Sequence, residues 1–253
     1  MRVAIIGMGF IGKAQARMLA GHDLVTWDIA DGTPYPYDAV HSCHFAVICA
    51  GTPALPGGSA DLSGVMAAVA AVPGIVPVLI RSTVLPGTTD ALAAGRPGLT
   101  AHAPEFMYER EGTVWSETTD VPFLILGGTP GAREFFAPML AEVFPGKVYE
   151  CSALEAELVK YTGNLYWAAR VTFVNEMSRI CETFGADWEE VRQGWLMHPW
   201  VSPQYTGMAG FGPGFGGRCW PKDLSALIAA STEAGYEPRF LEAVQEANAR
   251  FRA

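Results

Sequence analysis

Residues 2–6 (RVAII) form a short apolar run that stops at Gly7, the pattern of a strand buried on both faces. Residues 10–20 follow as a helix, with Ala14, Ala16 and Leu19 among good helix formers. LVTW (24–27) and FAVICA (45–50) predict a second and a third strand. The loop GTPALPGGSADLS then leads into a helix of Val and Ala, and VPVLI (76–80) and FLILG (123–127) predict two more strands. Strands that alternate with helices predict a parallel sheet with crossover helices.

The pattern changes near residue 150. From Ala153 to about Phe184 one long helical stretch runs without proline, and Val159, Leu165, Tyr166, Ala169, Phe173 and Met177 fall near helical spacing. A second helix around 188–196 follows Gly185. Residues 198–217, rich in Gly and Pro, predict a long loop; a helix begins at Pro221 and another spans about 238–252. The predicted fold class is α/β, with a Rossmann-like domain built on a parallel sheet over 1–150. An all-helical domain over 151–253 follows, suited to catalysis and to dimerisation.

Composition narrows the possibilities. The chain has 253 residues, half of them apolar and 17% charged, which excludes a disordered chain. A formal net charge of −9 and a pI near 5.0 repel phosphate backbones, so no nucleic-acid partner is expected. Cys43, Cys49, Cys151, Cys181 and Cys219 are odd in number and lack CxxC spacing. They predict neither a disulfide framework nor a metal site, and reduced thiols point to the cytoplasm. The start, MRVAIIGMGFIG, breaks at glycines where a signal peptide would continue apolar, and the apolar stretch Met66–Ile80 is interrupted by Pro73, Gly74 and Pro77. No membrane association is expected.

Gly7-Met8-Gly9-Phe10-Ile11-Gly12 is a GxGxxG run between a predicted strand and a predicted helix, the context that gives this motif meaning. Gly7 allows the tight turn, Gly9 lets backbone approach a pyrophosphate, and Gly12 lets helix and strand pack closely. Gly7, Gly9, Phe10, Ile11 and Gly12 are therefore candidate cofactor contacts. Asp28 ends the second strand, where a carboxylate accepts ribose hydroxyls and repels a 2′-phosphate, so NAD is expected over NADP.

A second motif runs Gly214-Phe215-Gly216-Gly217-Arg218-Cys219-Trp220-Pro221-Lys222-Asp223. Pro221 suits the first position of a helix, which puts Cys219 just before it, where the helix dipole and Lys222 favour a thiolate nucleophile. The glycines, Gly216 among them, let a substrate approach the sulfur. In Glu157-Leu158-Val159-Lys160-Tyr161-Thr162-Gly163-Asn164, Lys160 and Asn164 stand four apart and share a helix face, where an ammonium and an amide together stabilise an oxyanion or position a water. Taken alone, Lys160 reads first as a solvated lysine on an exposed face.

GMGFIG, GTPALPGGSADLS, RSTVLPGTT, the APEF segment with a nearby REG, ELVKYTGN, FVNEMSRICETFGAD and GFGGRCWPKD together resemble the UDP-glucose/GDP-mannose dehydrogenase family, over nearly the whole chain. The resemblance implies oxidation of a primary alcohol to a carboxylate in two steps with two NAD+. It implies that Cys219 captures the aldehyde as a thiohemiacetal and then holds an acyl thioester. It assigns Lys160 and Asn164 to the oxyanion and water, Asp223 to the hydrolytic water, Thr83 to the region of the nicotinamide and that water, and Thr52 and Lys222 to the cofactor. Glu105 matches the family's PEF glutamate. For the glutamate of REG, PEFMYEREG is two residues longer than the family pattern, and Glu109 and Glu111 both fit.

Two departures bear on the substrate. Full-length relatives carry a further α/β domain that binds the nucleotide, whereas this sequence ends at RFLEAVQEANARFRA, which resembles the start of the connecting helix. Trp200, in HPWVSPQY, stands where the family pattern DPRIGPSY has an arginine that reaches a partner subunit's sugar. An exposed indole suits a flat or apolar group, and simple loop packing accounts for it equally. The expected substrate is a sugar nucleotide or a related alcohol, and a homodimer through the long helix is expected. A single-step dehydrogenase of the 3-hydroxy-acid type and a non-catalytic NAD-binding protein are the alternatives. The thiol of Cys219 argues against the first. The joint presence of Cys219, Lys160, Asn164 and Asp223 argues against the second.

Overall fold

The computed structural model describes residues 1–108, 117–207 and 213–253. It divides into two compact units, the first of Met1–Pro53 and Ala60–Lys160, the second of Ala54–Ser59 and Tyr161–Ala253.

The first unit is built on one sheet of seven strands: β1 (Arg2–Ile6), β2 (Asp23–Trp27), β3 (Phe45–Ile48), β4 (Val78–Ile80), β5 (Thr100–His102), β6 (Phe123–Gly128) and β7 (Lys147–Cys151). Their order is β2-β1-β3-β4-β5-β6-β7. Side chains alternate between two cores, as a strand's two-residue period requires. Val3, Ile5, Phe45, Val47 and Leu79 enter one apolar cluster. Ala4, Ile6, Ala46, Ile48, Val78 and Ile80 enter the other. Helix α1 (Phe10–Met18) packs on the first face through Ile11, Ala16 and Met18. Helices α2 (Tyr37–His41) and α3 (Ser63–Ala71) cover the second through Val40, Val65, Ala68 and Val69. Beyond them in sequence come α4 (Thr88–Ala94) and α5 (Pro130–Val143). Phe136 of α5 meets Phe45 edge-on at 5.8 Å.

The sheet departs from the expected parallel pattern at one junction. β5 and β6 run antiparallel, with Ala101 opposite Gly128 and His102 opposite Gly127. A strand buried on both faces reads as one apolar run in either direction, so the sequence pattern carries no sign of this reversal.

Helix α6 (Ala153–Thr183) starts in the first unit and continues into the second. Ser152 and Glu155 form its capping box: the serine hydroxyl accepts from the Glu155 N–H at 3.3 Å, and the carboxylate accepts from the Ser152 N–H at 2.8 Å. Gly127 lets this first turn lie close to β6, since a Cβ there would sit 2.4 Å from that of Ala156. The second unit continues with α7 (Trp188–Leu196), α8 (Trp220–Glu233) and α9 (Arg239–Arg252). Val174, Cys181 and Trp188 form a small core between α6 and α7.

Candidate functional site

In the first unit the turn after β1 lies at the point where the strand order reverses, between β1 and β3, the place where open α/β sheets bind ligands. The three motif glycines answer three different constraints. Gly7 has φ +94°, and a Cβ on it would meet the Cys49 carbonyl at 2.7 Å; one on Gly12 would meet the Gly7 carbonyl at 1.9 Å. Gly9 faces open space: among the described residues beyond its own chain neighbours, nothing lies within 4 Å of a Cβ position. Gly9 is also the N-cap of α1, and no side chain caps that terminus. Its N–H groups suit a pyrophosphate. Phe10 and Ile11 open the helix, half-buried. Asp28 closes the same corner: one oxygen accepts from the Met8 N–H at 2.6 Å and the other from the Ala30 N–H at 2.8 Å. Each oxygen keeps a lone pair for a ribose hydroxyl. These residues fit a dinucleotide with free ribose hydroxyls.

The segment after β4 is pinned along its length. The Thr52 hydroxyl donates to the Thr83 carbonyl at 2.9 Å, and Ser82 donates to the Ala50 carbonyl at 2.7 Å. Farther on, Glu157 of α6 accepts from the Gly87 N–H at 2.6 Å and the Thr89 N–H at 2.8 Å, which caps α4. Burial pushes the Glu157 carboxyl above its usual range, and these bonds oppose the shift only in part. Glu157, one turn before Lys160, therefore ties the Thr83 segment to the base of α6. Lys160 is buried, its Nζ 5.0 Å from the centroid of the Phe106 ring. Glu105 is also buried and forms an ion pair with Arg81. Glu109 and Glu111 lie outside the described residues.

In the second unit Cys219 is exposed at the N-cap of α8, with Pro221 in the first turn. Its carbonyl accepts the Asp223 N–H at 2.9 Å, which begins the helix. Asp223 is buried; its carboxylate accepts from the Asn164 amide at 2.6 Å and pairs with Lys222. Asn164, Asp223 and Lys222 are thus brought together one turn from Cys219. Lys222 is engaged by Asp223, a partner the sequence did not suggest.

The glycine loop before Cys219 is held from α6 and α9. Asn175 accepts the Gly214 N–H at 2.9 Å, and Asn248 accepts the Phe215 N–H at 2.6 Å while donating to the Phe215 carbonyl at 3.0 Å. A Cβ on Gly216 would come within 2.7 Å of the Arg252 guanidinium. Trp220 completes an aromatic cluster with Tyr205 at 5.2 Å and Phe215 at 6.2 Å. Trp200 is 89% exposed, with the His198 ring beside it at 5.3 Å.

Sequence reasoning passed over Gln15, Arg81, His102, Asn175 and Asn248. Asn175 lies inside FVNEMSR and Arg81 inside RSTVLPGTT, so the motifs contained them without disclosing their partners. Among the described residues no three His, Cys, Asp or Glu side chains group as a metal site, and no helix is long and apolar enough to cross a membrane.

Comparison with known proteins places these motifs. Residues 154–250 match the central domain of the UDP-glucose/GDP-mannose dehydrogenase family. A UDP-glucose 6-dehydrogenase of Haloferax volcanii is 29% identical over 98% of this chain and 69% of its own length. One from Pseudomonas aeruginosa is 32% identical over 80% of this chain and 48% of its own. The solved UDP-glucose dehydrogenase of the hyperthermophilic archaeon Pyrobaculum islandicum superposes with a TM-score of 0.86 at 28% identity, over 98% of this chain and 68% of that one. The chain thus spans between about half and about two thirds of the length of these relatives.

Proposed function

This chain belongs to the UDP-glucose/GDP-mannose dehydrogenase family, and from that premise we propose that it oxidises a primary alcohol of a sugar nucleotide to a carboxylate, with NAD as hydride acceptor. The observation that carries the reading is Cys219, exposed at the start of α8, with Asp223 in the next turn held by Asn164 and Lys222.

NAD bound here would accept one hydride in each oxidation, the reduced cofactor giving way to a second NAD+ between the two. Gly7, Gly9 and Gly12 with the N-terminus of α1 would hold its pyrophosphate, and Asp28 its ribose. Thr52, whose hydroxyl fixes the Thr83 carbonyl, shapes the neighbouring segment. Once the alcohol has become an aldehyde, the Cys219 thiolate adds to the carbonyl carbon and the C=O pair moves to oxygen. Lys160 and Asn164, one turn apart on α6, are the donors that stabilise this oxyanion. Loss of the second hydride leaves an acyl thioester on Cys219. Water oriented by Asp223 adds to it, the C–S bond breaks, and carboxylate, thiolate and two protons are released. A thiol suits the second oxidation because it makes a tetrahedral adduct able to give up hydride; a single oxidation has no need of one. Trp200 and Gly216 are the proposed substrate-side contacts.

Exposed Tyr166, Phe173 and Ile180, seven residues apart on α6, with Phe184 beyond its end, support a homodimer through this helix.

The test is NADH formation with UDP-glucose, GDP-mannose and a simple 3-hydroxy acid, counted against product. Two NADH per carboxylate from a sugar nucleotide supports the proposal. One NADH per hydroxy acid would favour the single-step dehydrogenase, and NAD binding without turnover of any of them would favour a binding protein.

A further inference from the structure

Gln15 of α1 is fully buried. A buried amide is costly unless it is hydrogen-bonded, so its partners show what it is for. Its Nε2 donates to the Thr118 hydroxyl at 2.7 Å and to the Glu105 carboxylate at 3.3 Å. An ionised carboxylate only accepts, so the amide must present its nitrogen, and Oε1 is turned away, without a partner among the described residues. Helix α1 grips the same turn again at its surface, where Arg17 Nε and Nη2 meet the Glu117 carboxylate at 2.7 and 2.6 Å. Glu117 and Asp120 close that short 3₁₀ turn, Thr118–Asp120, with a capping box. The helix whose N-terminus is proposed to take the NAD pyrophosphate therefore also sets where the Thr118 hydroxyl lies.

Thr118 passes that placement on to Glu105, which is buried with it. Glu105 Oε1 accepts the backbone N–H groups of Phe106 at 2.9 Å and Met107 at 3.2 Å. Oε2 accepts from Arg81, from Gln15 and from the Thr118 hydroxyl at 3.0 Å. Five donors meet about four lone-pair directions, so Glu105 can engage a reacting group only if one donor withdraws. Four of them are fixed: two are backbone, Arg81 is also held by the Ala103 carbonyl at 2.7 Å, and Gln15 is held by Thr118. The Thr118 hydroxyl has a single proton and a second acceptor for it, Met107 Sδ at 3.5 Å. Rotation about its C–O bond carries the proton from Oε2 to the sulfur, a weak acceptor, while Oγ1 goes on accepting from Gln15.

We propose that Thr118 is a positioning residue for Glu105 and its latch: at rest the hydroxyl holds one lone pair of Oε2, and it releases that lone pair to substrate or water by turning to Met107. A charge-assisted bond is exchanged for a weak one, which keeps the latch closed until another donor takes its place on Oε2. The latch rests on the place of Glu105 in the proposed function; the resting contact does not.

Glutamate labelled with carbon-13 at the side-chain carboxyl reports the resting contact without substrate, and the Glu105 signal is identified by its loss in Glu105→Gln. Thr118→Val, of nearly the same shape but without a hydroxyl, should move that signal, and Thr118→Ser should restore it. Should Thr118→Val fail to fold by circular dichroism, Thr118→Ala takes its place. A Glu105 signal unmoved by loss of the hydroxyl would overturn the contact. With a turned-over sugar nucleotide, Thr118→Val should lower kcat about tenfold with KM little changed, the scale of one hydrogen bond to a charged group, and Thr118→Ser should recover most of it. Met107→Leu keeps the volume and removes the sulfur. It should leave the resting signal in place yet lower kcat about threefold, the scale of a weak contact. An unchanged kcat in Met107→Leu would overturn the latch. Native turnover by Glu105→Gln would overturn the place of Glu105 in the reaction and the latch with it, while the carboxyl spectra judge the Thr118 contact apart from the proposed activity.

Discussion

Asn248→Ala is expected to loosen the loop that leads to Cys219. The side chain is buried, as is Phe215, whose N–H and carbonyl it satisfies at 2.6 and 3.0 Å. Alanine leaves both backbone groups without a partner in an enclosed place. Each such group costs about 1–3 kcal/mol, and partial resolvation of the loop brings the pair to about 3 kcal/mol. At roughly 3 °C per kcal/mol for cooperative melting of the whole chain, the melting transition falls by about 9 °C. The same energy, read locally, speeds exchange of the Phe215 amide about a hundredfold. Among the described residues Asn175→Ala removes the acceptor of one loop N–H, that of Gly214, and should cost less than half as much. Differential scanning calorimetry and amide exchange measure both. If Asn248→Ala melts within about 1 °C of the unmodified protein and Phe215 stays protected, the loop is held by something else and the reasoning is wrong.

Gly9→Ala should melt normally, because its Cβ enters open space, yet weaken NAD at least about tenfold in calorimetry by blocking backbone approach; unchanged affinity would contradict the assigned turn. Gly12→Ala, whose Cβ would lie 1.9 Å from the Gly7 carbonyl, should instead lower the melting temperature, by several degrees for an overpacking cost of about 2 kcal/mol or more. NAD should bind more tightly than NADP, and equal or reversed affinity would sink the role of Asp28. Glu157 has its carboxyl raised by burial, so the folded state holds its proton more firmly than the unfolded chain. Stability from this group is present below the usual glutamate value and is lost as pH rises through the raised one. Relative to Glu157→Gln, the unmodified protein should therefore lose stability across that window in pH-dependent urea titrations, and parallel curves would refute the linkage. Light scattering should find a dimer at micromolar concentration, and a monomer would refute pairing through α6.

What the sequence disclosed, and what it hid, follows from the range of the interactions. The start of β1, the turn glycines and the span of α6 depend on neighbours a few residues away, and the apolar period placed them almost to the residue. α5 escaped because Pro138 lies inside it, a residue that ordinarily ends a helix, while Thr129 and Pro130 at its start are easily taken for a turn. β7 escaped because it is an edge strand, mostly exposed, and so lacks an apolar run. At the candidate site, motif context and spacing singled out Cys219, Lys160 and Asn164, and the family resemblance singled out Asp223. The Asn164–Asp223 bond spans 59 residues and the Gln15–Thr118 bond 103, which no local pattern encodes. Arg81 was the least legible, because an arginine at a strand end ordinarily reaches solvent, and here it is buried against Glu105.

The central claim is that the second oxidation passes through an acyl group on Cys219. Intact-protein mass spectrometry during turnover of a sugar nucleotide, followed by peptide mapping, addresses it directly. The account predicts a transient mass increase equal to the acyl group on the peptide that contains Cys219, absent from Cys219→Ala, which binds NAD and folds normally but forms no carboxylate. A Cys219→Ala protein that makes the acid at the unmodified rate, with no adduct on the native chain, would contradict it.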